Sequence, residues 1–170
     1  YNVSKTIENN FEYLKSLYKV NKKQTKSCFF LLPGLSEKKI LENNKYFKWI
    51  YNIKNKIKGS ITIIPHRIEL DLINNSDFLK SKFSVKVNNL PIELSLIKSR
   101  YLPRKIIHCY SSCAITLNKI FGNKVEILNY RNKQLESTID SYNKGTKPNE
   151  TIIPMKRFLD RMKFKSIKDS

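Results

Sequence analysis

Apolar side chains recur at Val3, Ile7, Phe11, Leu14 and Leu17/Tyr18 against a polar opposite face, so the pattern predicts a helix over residues 3–19. A polar, basic connector runs from Lys19 to Lys26. The short apolar run Cys28-Phe29-Phe30-Leu31-Leu32, stopped by Pro33-Gly34, predicts a buried strand. Ser36 is a candidate N-cap with Glu37 in the first turn. The helix it would start places Ile40, Phe47, Ile50, Tyr51 and Ile57 on one side and ends in Lys54, Lys56 and Lys58, with Gly59 just beyond. From Ser60 the period becomes two. Ile61, Ile63, Ile68, Leu70 and Leu72 predict a strand bent at Pro65. Phe83, Val85 and Val87, then Ile92, Leu94 and Leu96, flank Asn88-Asn89 and predict a hairpin. Ile106-Ile107 starts another strand. Ser111–Phe121 is a short helix stopped by Gly122, and Val125, Ile127 and Leu128 make a last strand. Pro154 suits the first residue of a basic terminal helix through about Ile167.

This order predicts an α+β chain: a split βαβ (ferredoxin-like) sheet backed by two helices, with an added N-terminal helix and a basic C-terminal helical extension. The domains divide as 1–26, 27–130 and 131–170.

Charge changes the picture more than composition does. The 170 residues include 33 Lys+Arg and 14 Asp+Glu, a net charge of +19, while 40% hydrophobic content suffices for a core. A chain so lopsided repels itself and is expected beside a polyanion. The excess of Lys over Arg, with abundant Asn and Ile, is what A+T-rich coding produces. The shortage of acids is not explained that way. The expected RNA-facing cations are Lys54, Lys56, Lys58, Arg67, Lys80, Lys82, Arg100, Arg104, Lys105, Lys156, Arg157 and Arg161. Tyr101 and Phe164 lie inside basic clusters, where a ring could stack on a base.

The segment Gly59-Ser60-Ile61-Thr62-Ile63-Ile64-Pro65-His66-Arg67-Ile68-Glu69, followed by Ser76, Lys80, Ser81, Lys82 and a strand at Phe83, resembles small-subunit ribosomal protein ten, the NusE-like family, in a divergent mitochondrial form. The resemblance covers about residues 27–130, and Pro91–Lys98 stands as an extra strand. It implies a structural, non-enzymatic constituent of a mitochondrial ribosome. The partners it implies are rRNA and neighbouring ribosomal proteins, with Arg67, Lys80 and Lys82 facing RNA.

Other chemistry is sparse. No apolar window reaches the roughly 18 residues that cross a membrane, and no membrane partner is expected. Cys109-x3-Cys113 with His108 and Cys28 lacks paired CxxC spacing, so buried thiols rather than zinc are expected. With 4 Gly and no phosphate-binding glycine loop, neither a cofactor nor a small-molecule substrate is expected. Two alternatives stand beside the ribosomal reading. One is a non-ribosomal subunit of an organellar complex. The other is a small RNA nuclease or modifying enzyme using His66, Glu69 and Asp71.

Overall fold

The structure is a computed structural model that describes residues 11–17, 22–35, 40–122, 124–133, 135–138 and 164–169. The elements run α1 (Glu12–Leu17), β1 (Lys23–Gln24), β2 (Cys28–Leu31), α2 (Asn43–Lys56), β3 (Ile61–Ile64), a 3-10 turn (Arg67–Glu69), α3 (Leu70–Asn74), α4 (Asp77–Lys82), β4 (Ser84–Val85), α5 (Ile92–Lys98), β5 (Tyr101–Leu102), β6 (Lys105–His108), α6 (Cys113–Phe121), β7 (Glu126–Asn132) and β8 (Lys165–Asp169).

The expected α+β chain, one main sheet built on βαβ units and backed by helices, is observed. The sheet has six strands in the order β4-β3-β2-β6-β7-β8, and every neighbouring pair is parallel. The chain thus winds outward from β2 to β4, then returns to the centre and winds outward from β6 to β8. Helices cover both faces. On one, Tyr46, Trp49, Ile50 and Ile53 of α2, with Ile73 and Leu79, pack on Phe30, Ile63, Ile107 and Tyr130. On the other, Leu96 and Ile97 of α5 and Ala114, Leu117 and Phe121 of α6 pack on Phe29, Leu31, Ile106 and Ile127. Strands covered twice have no wet side, which is why β2 reads as an unbroken apolar run. Trp49 anchors the first face, with its ring 5.5 Å from Phe30 and 5.4 Å from Tyr130.

Several local expectations are corrected. Residues 92–96, expected as a hairpin arm, form α5. Pro91 stands at its N-cap, Glu93 lies in the first turn, and the buried residues are the adjacent pair Leu96 and Ile97, which no strand can aim to one side. Hairpin pairing at Asn88-Asn89 is therefore absent. Residues 68–72, expected as strand, are the 3-10 turn and α3. His66 accepts from the Ile68 amide while the Glu69 carboxylate accepts from the His66 amide, a reciprocal cap that starts a helical turn. Ser76 caps α4, a helix that the sequence analysis did not expect. The helix expected from Ser36 begins at Asn43, and Ser36 and Glu37 lie outside the described residues. Of the terminal helix expected from Pro154, residues 154–163 lie outside the described residues, and Lys165–Asp169 is instead the sixth strand, paired with β7. Likewise, residues 3–10 and 18–19 of the first expected helix lie outside them.

Candidate ligand-binding site

In a doubly wound parallel sheet the connections diverge where the winding reverses, leaving a crevice beyond the carboxyl ends of the two central strands. Here those strands are β2 and β6, and a cavity of about 450 Å³ lies at this edge. Four connections line it. Leu31 and Leu32 come from the end of β2, and Pro65, His66 and Arg67 follow β3. Asn88, Leu90, Pro91 and Ile92 follow β4, and Ser111, Ser112 and Cys113 follow β6. Among the described residues, none that lines the cavity is acidic.

Each connection is held by identifiable contacts. Leu32 N–H donates to the Ile64 carbonyl at 3.0 Å, tying the exit of β2 to that of β3. Gly34 has φ 70, and a Cβ there would sit 3.0 Å from Ile68 Cδ1, so the turn needs glycine both for its backbone and for the close approach of the 66–68 turn. Glu69 is fully buried behind the cavity. Its Oε1 accepts from the His66 amide at 3.0 Å and its Oε2 accepts from Tyr46 Oη at 2.8 Å. This carboxylate is therefore a brace for the His66-Arg67 turn. His66 Nδ1 accepts from Ile68 N–H at 3.4 Å, an arrangement that assigns the neutral ring's proton to Nε2.

Beyond β6, Tyr110 adopts φ 51, an uncommon conformation for a residue with a side chain. Its hydroxyl donates to Glu136 Oε1 at 2.8 Å, and the Arg131 guanidinium holds the same oxygen at 2.7 Å. Burial, foremost, pushes the Tyr110 hydroxyl pKa far up, so it stays a donor. This sharp turn delivers Ser111 and Ser112 to the start of α6. Ser112 supplies no side-chain acceptor to the first-turn amides, and Ser111 Oγ lies 2.9 Å from Cys113 Sγ. The nine-residue helix turns the positive end of its dipole to the cavity, and its Ala114 and Ile115 amides donate to the Ser111 and Ser112 carbonyls at 3.2 and 3.1 Å. Arg67 is exposed, and no carboxylate pairs with it among the described residues. The cavity thus combines a cation, a helix amino end, two hydroxyls and an imidazole with apolar walls. That is chemistry for an anion carrying an apolar or planar part.

The expected cations separate between two edges. Arg67 alone lines the cavity. Lys54, Lys56 and Lys58, ending α2 and leading into β3, lie at the opposite, amino edge with Lys82, Arg104 and Lys105. Lys54 Nζ donates to the Lys82 carbonyl at 3.0 Å and lies 5.7 Å from the Phe83 ring. Lys105 and Lys165 meet Glu126 at 3.3 and 3.4 Å. Burial raises the Glu126 carboxyl, but these two ammonium groups outweigh it and hold it below its ordinary range. Arg100 borders the small β1–β5 pair, and Lys80 pairs with Asp77 on α4 at 3.2 Å. Lys156, Arg157 and Arg161 lie outside the described residues.

His66, Glu69 and Asp71 do not face one open position. Glu69, expected on a solvated strand face, is buried, whereas Asp71 is exposed on α3. The cysteines are also dispersed. Cys28 and Cys109 lie in the α2-side core and Cys113 packs against the α6-side one, and no cluster of three metal-ligating side chains occurs among the described residues. Sequence reading missed Ser111 and Ser112 as site residues. The available signal was a polar Tyr-Ser-Ser step between an apolar strand and a helix. No helix of the described residues is long and apolar enough to cross a membrane. Comparison of the chain with protein-family models, with curated proteins and with solved structures finds no match.

Proposed function

We propose that the chain binds a nucleotide, or a substrate activated by one, at the carboxyl edge of its sheet. The observation that carries this reading is the convergence of Arg67 with the Ser111–Ser112 start of α6 on one cavity at the point where the winding reverses. The phosphate would take the two hydroxyls and the Arg67 guanidinium at the positive end of the α6 dipole. His66 Nε2–H would add a neutral donor, and Leu32, Pro65, Leu90 and Pro91 would cover the rest. Such a site serves an enzyme that grips its substrate by the phosphate. This reading departs from the expected non-enzymatic chain without a small-molecule ligand, and it rests on the cavity alone. Titration calorimetry with mononucleotides tests it. Binding that weakens in Arg67→Ala and in Ser111→Ala/Ser112→Ala supports it, and no heat of binding with any nucleotide at millimolar concentration removes it.

A second reading, a ribosomal constituent held on rRNA, is favoured by the exposed cations Lys54, Lys58, Lys82 and Arg104 at the amino edge. It is tested by sedimentation of a native lysate with and without RNase. Release from a ribosomal subunit by RNase supports it, and migration as a small species in both runs counts against it.

A further inference from the structure

We infer that the amino edge of the sheet is a surface for RNA with unpaired bases, centred on Tyr101. β1 immediately precedes β2 and β5 immediately precedes β6, so their two-stranded pair prolongs this edge beyond the main sheet. The Thr25 amide donates to the Leu102 carbonyl at 2.8 Å, the Arg104 amide to Ser27 at 2.9 Å and the Glu126 amide to Arg104 at 3.0 Å. These bonds gather the starts of β2, β6 and β7 into one rigid rim. Lys23, Lys26, Arg100, Arg104 and Lys124 are all exposed on it, and Lys54, Lys58 and Lys82 continue it beneath α2 and α4. The acid at the start of β7, Glu126, is already shared by Lys105 and Lys165, so it does not offset the remaining cations.

Distributed charge alone suits any polyanion. Tyr101 narrows the choice. It is 51% exposed on a two-residue strand, where its backbone is fixed by pairing with Lys23, and it stands between Arg100 and Arg104. The chain has only six arginines, and two of them lie within three residues of Tyr101. An exposed ring on a paired strand, with arginines one residue before and three residues after it, suits stacking on a base, which only an unpaired nucleotide offers. A lipid surface would call for several apolar side chains to enter it. Among the described residues of this rim the exposed large apolar side chain is Tyr101, whereas exposed Ile68, Val87 and Leu90 belong to the carboxyl side. This surface is independent of the cleft and leaves the cleft open.

The test is fluorescence anisotropy of the full chain with a labelled oligouridylate, an RNA duplex of the same length, and vesicles containing anionic phospholipid. Tyr101→Ala should weaken oligouridylate binding on the order of 10-fold while changing duplex binding little. Arg100→Glu/Arg104→Glu should weaken both and flatten their salt dependence. Circular dichroism confirms that each variant is folded, and Tyr101→Phe, which keeps the ring, should restore binding. Equal oligouridylate binding by the parent and Tyr101→Ala chains overturns the inference. So does binding to the vesicles without binding to oligouridylate.

Discussion

Tyr46 Oη donates to Glu69 Oε2 at 2.8 Å, and both residues are fully buried. The bond joins α2 to the turn that carries His66 and Arg67, and so couples the core to the cleft. Burial, and then the nearby Glu69 charge, raise the Tyr46 hydroxyl pKa far above its ordinary value, so it remains the donor. Glu69→Ala should cost on the order of 2–4 kcal/mol, because it strands the Tyr46 hydroxyl and the His66 amide together. Glu69→Gln keeps an acceptor and should cost less. Urea denaturation of both variants measures the difference. Equal stability of the alanine variant and the parent would show that the bond is not a brace.

His108 should set the acid limb of stability. It is fully buried on β6 beside Asn129, its register partner on β7, and its ring lies 5.2 Å from that of Phe164. Neither ring nitrogen has a hydrogen-bond partner among the described residues. Burial pushes its pKa down from 6.5 to about 4. The unfolded chain therefore binds the proton more readily, and stability is lost as pH falls from about 6.5 to about 4. The loss should approach roughly 3 kcal/mol, at about 1.4 kcal/mol per pH unit. Melting of His108→Leu should lack this step while keeping the carboxylate-driven loss at lower pH. An unchanged profile in the variant rejects the assignment.

Cysteine chemistry should report on the cleft. Burial, first of all, holds Cys28 up at about 12, lifts Cys109 further and raises Cys113 to about 11. Only Cys113 is partly exposed, and it lines the cleft. In the native chain Cys113 should therefore alkylate first, slowly at neutral pH because little thiolate is present. A bound nucleotide should slow it further. Mass mapping after iodoacetamide treatment checks this, and labelling of Cys28 or Cys109 ahead of Cys113 would contradict the burial pattern.

Lys22 should pin the entry of the chain to α5. Its Nζ donates to the carbonyls of Ile97 at 2.5 Å and Ser99 at 2.6 Å, at the helix's carboxyl end. Burial, then the Lys124 charge, lower its pKa. Lys22→Ala should cost about 1 kcal/mol and raise amide exchange at the end of α5 and in β5, with little effect at β3. Hydrogen exchange followed by residue would sink the idea if these amides kept their protection.

Strands β2, β6 and the start of β7 were legible from their apolar residues, β3 from its alternation, and α6 from the helical spacing between Ser111 and Gly122. These segments bury enough side chains that no alternative period fits them. Short segments were not legible. The apolar positions 92, 94 and 96 fit a strand until Pro91 and Ile97 are weighed, and residues 68–72 fit one until His66 and Glu69 are seen to cap each other. In five to seven residues, tertiary contact outweighs periodicity. The cleft was half legible. Arg67 stood out as a cation, whereas Ser111 and Ser112 gain meaning only from the helix they begin.

By itself, then, the sequence determined that this chain has a core, that it carries a large positive excess, and that the strand at 28–32 is buried. Hydrophobic spacing and charge are properties of neighbours along the chain, and both can be read there. Strand order, parallel direction and the separation of the cations between two edges were decided only by the tertiary structure. Leu31 meets Ile64 on one side and His108 on the other. Those pairings depend on which crossings bury the most apolar surface together, and no local stretch of sequence encodes that sum.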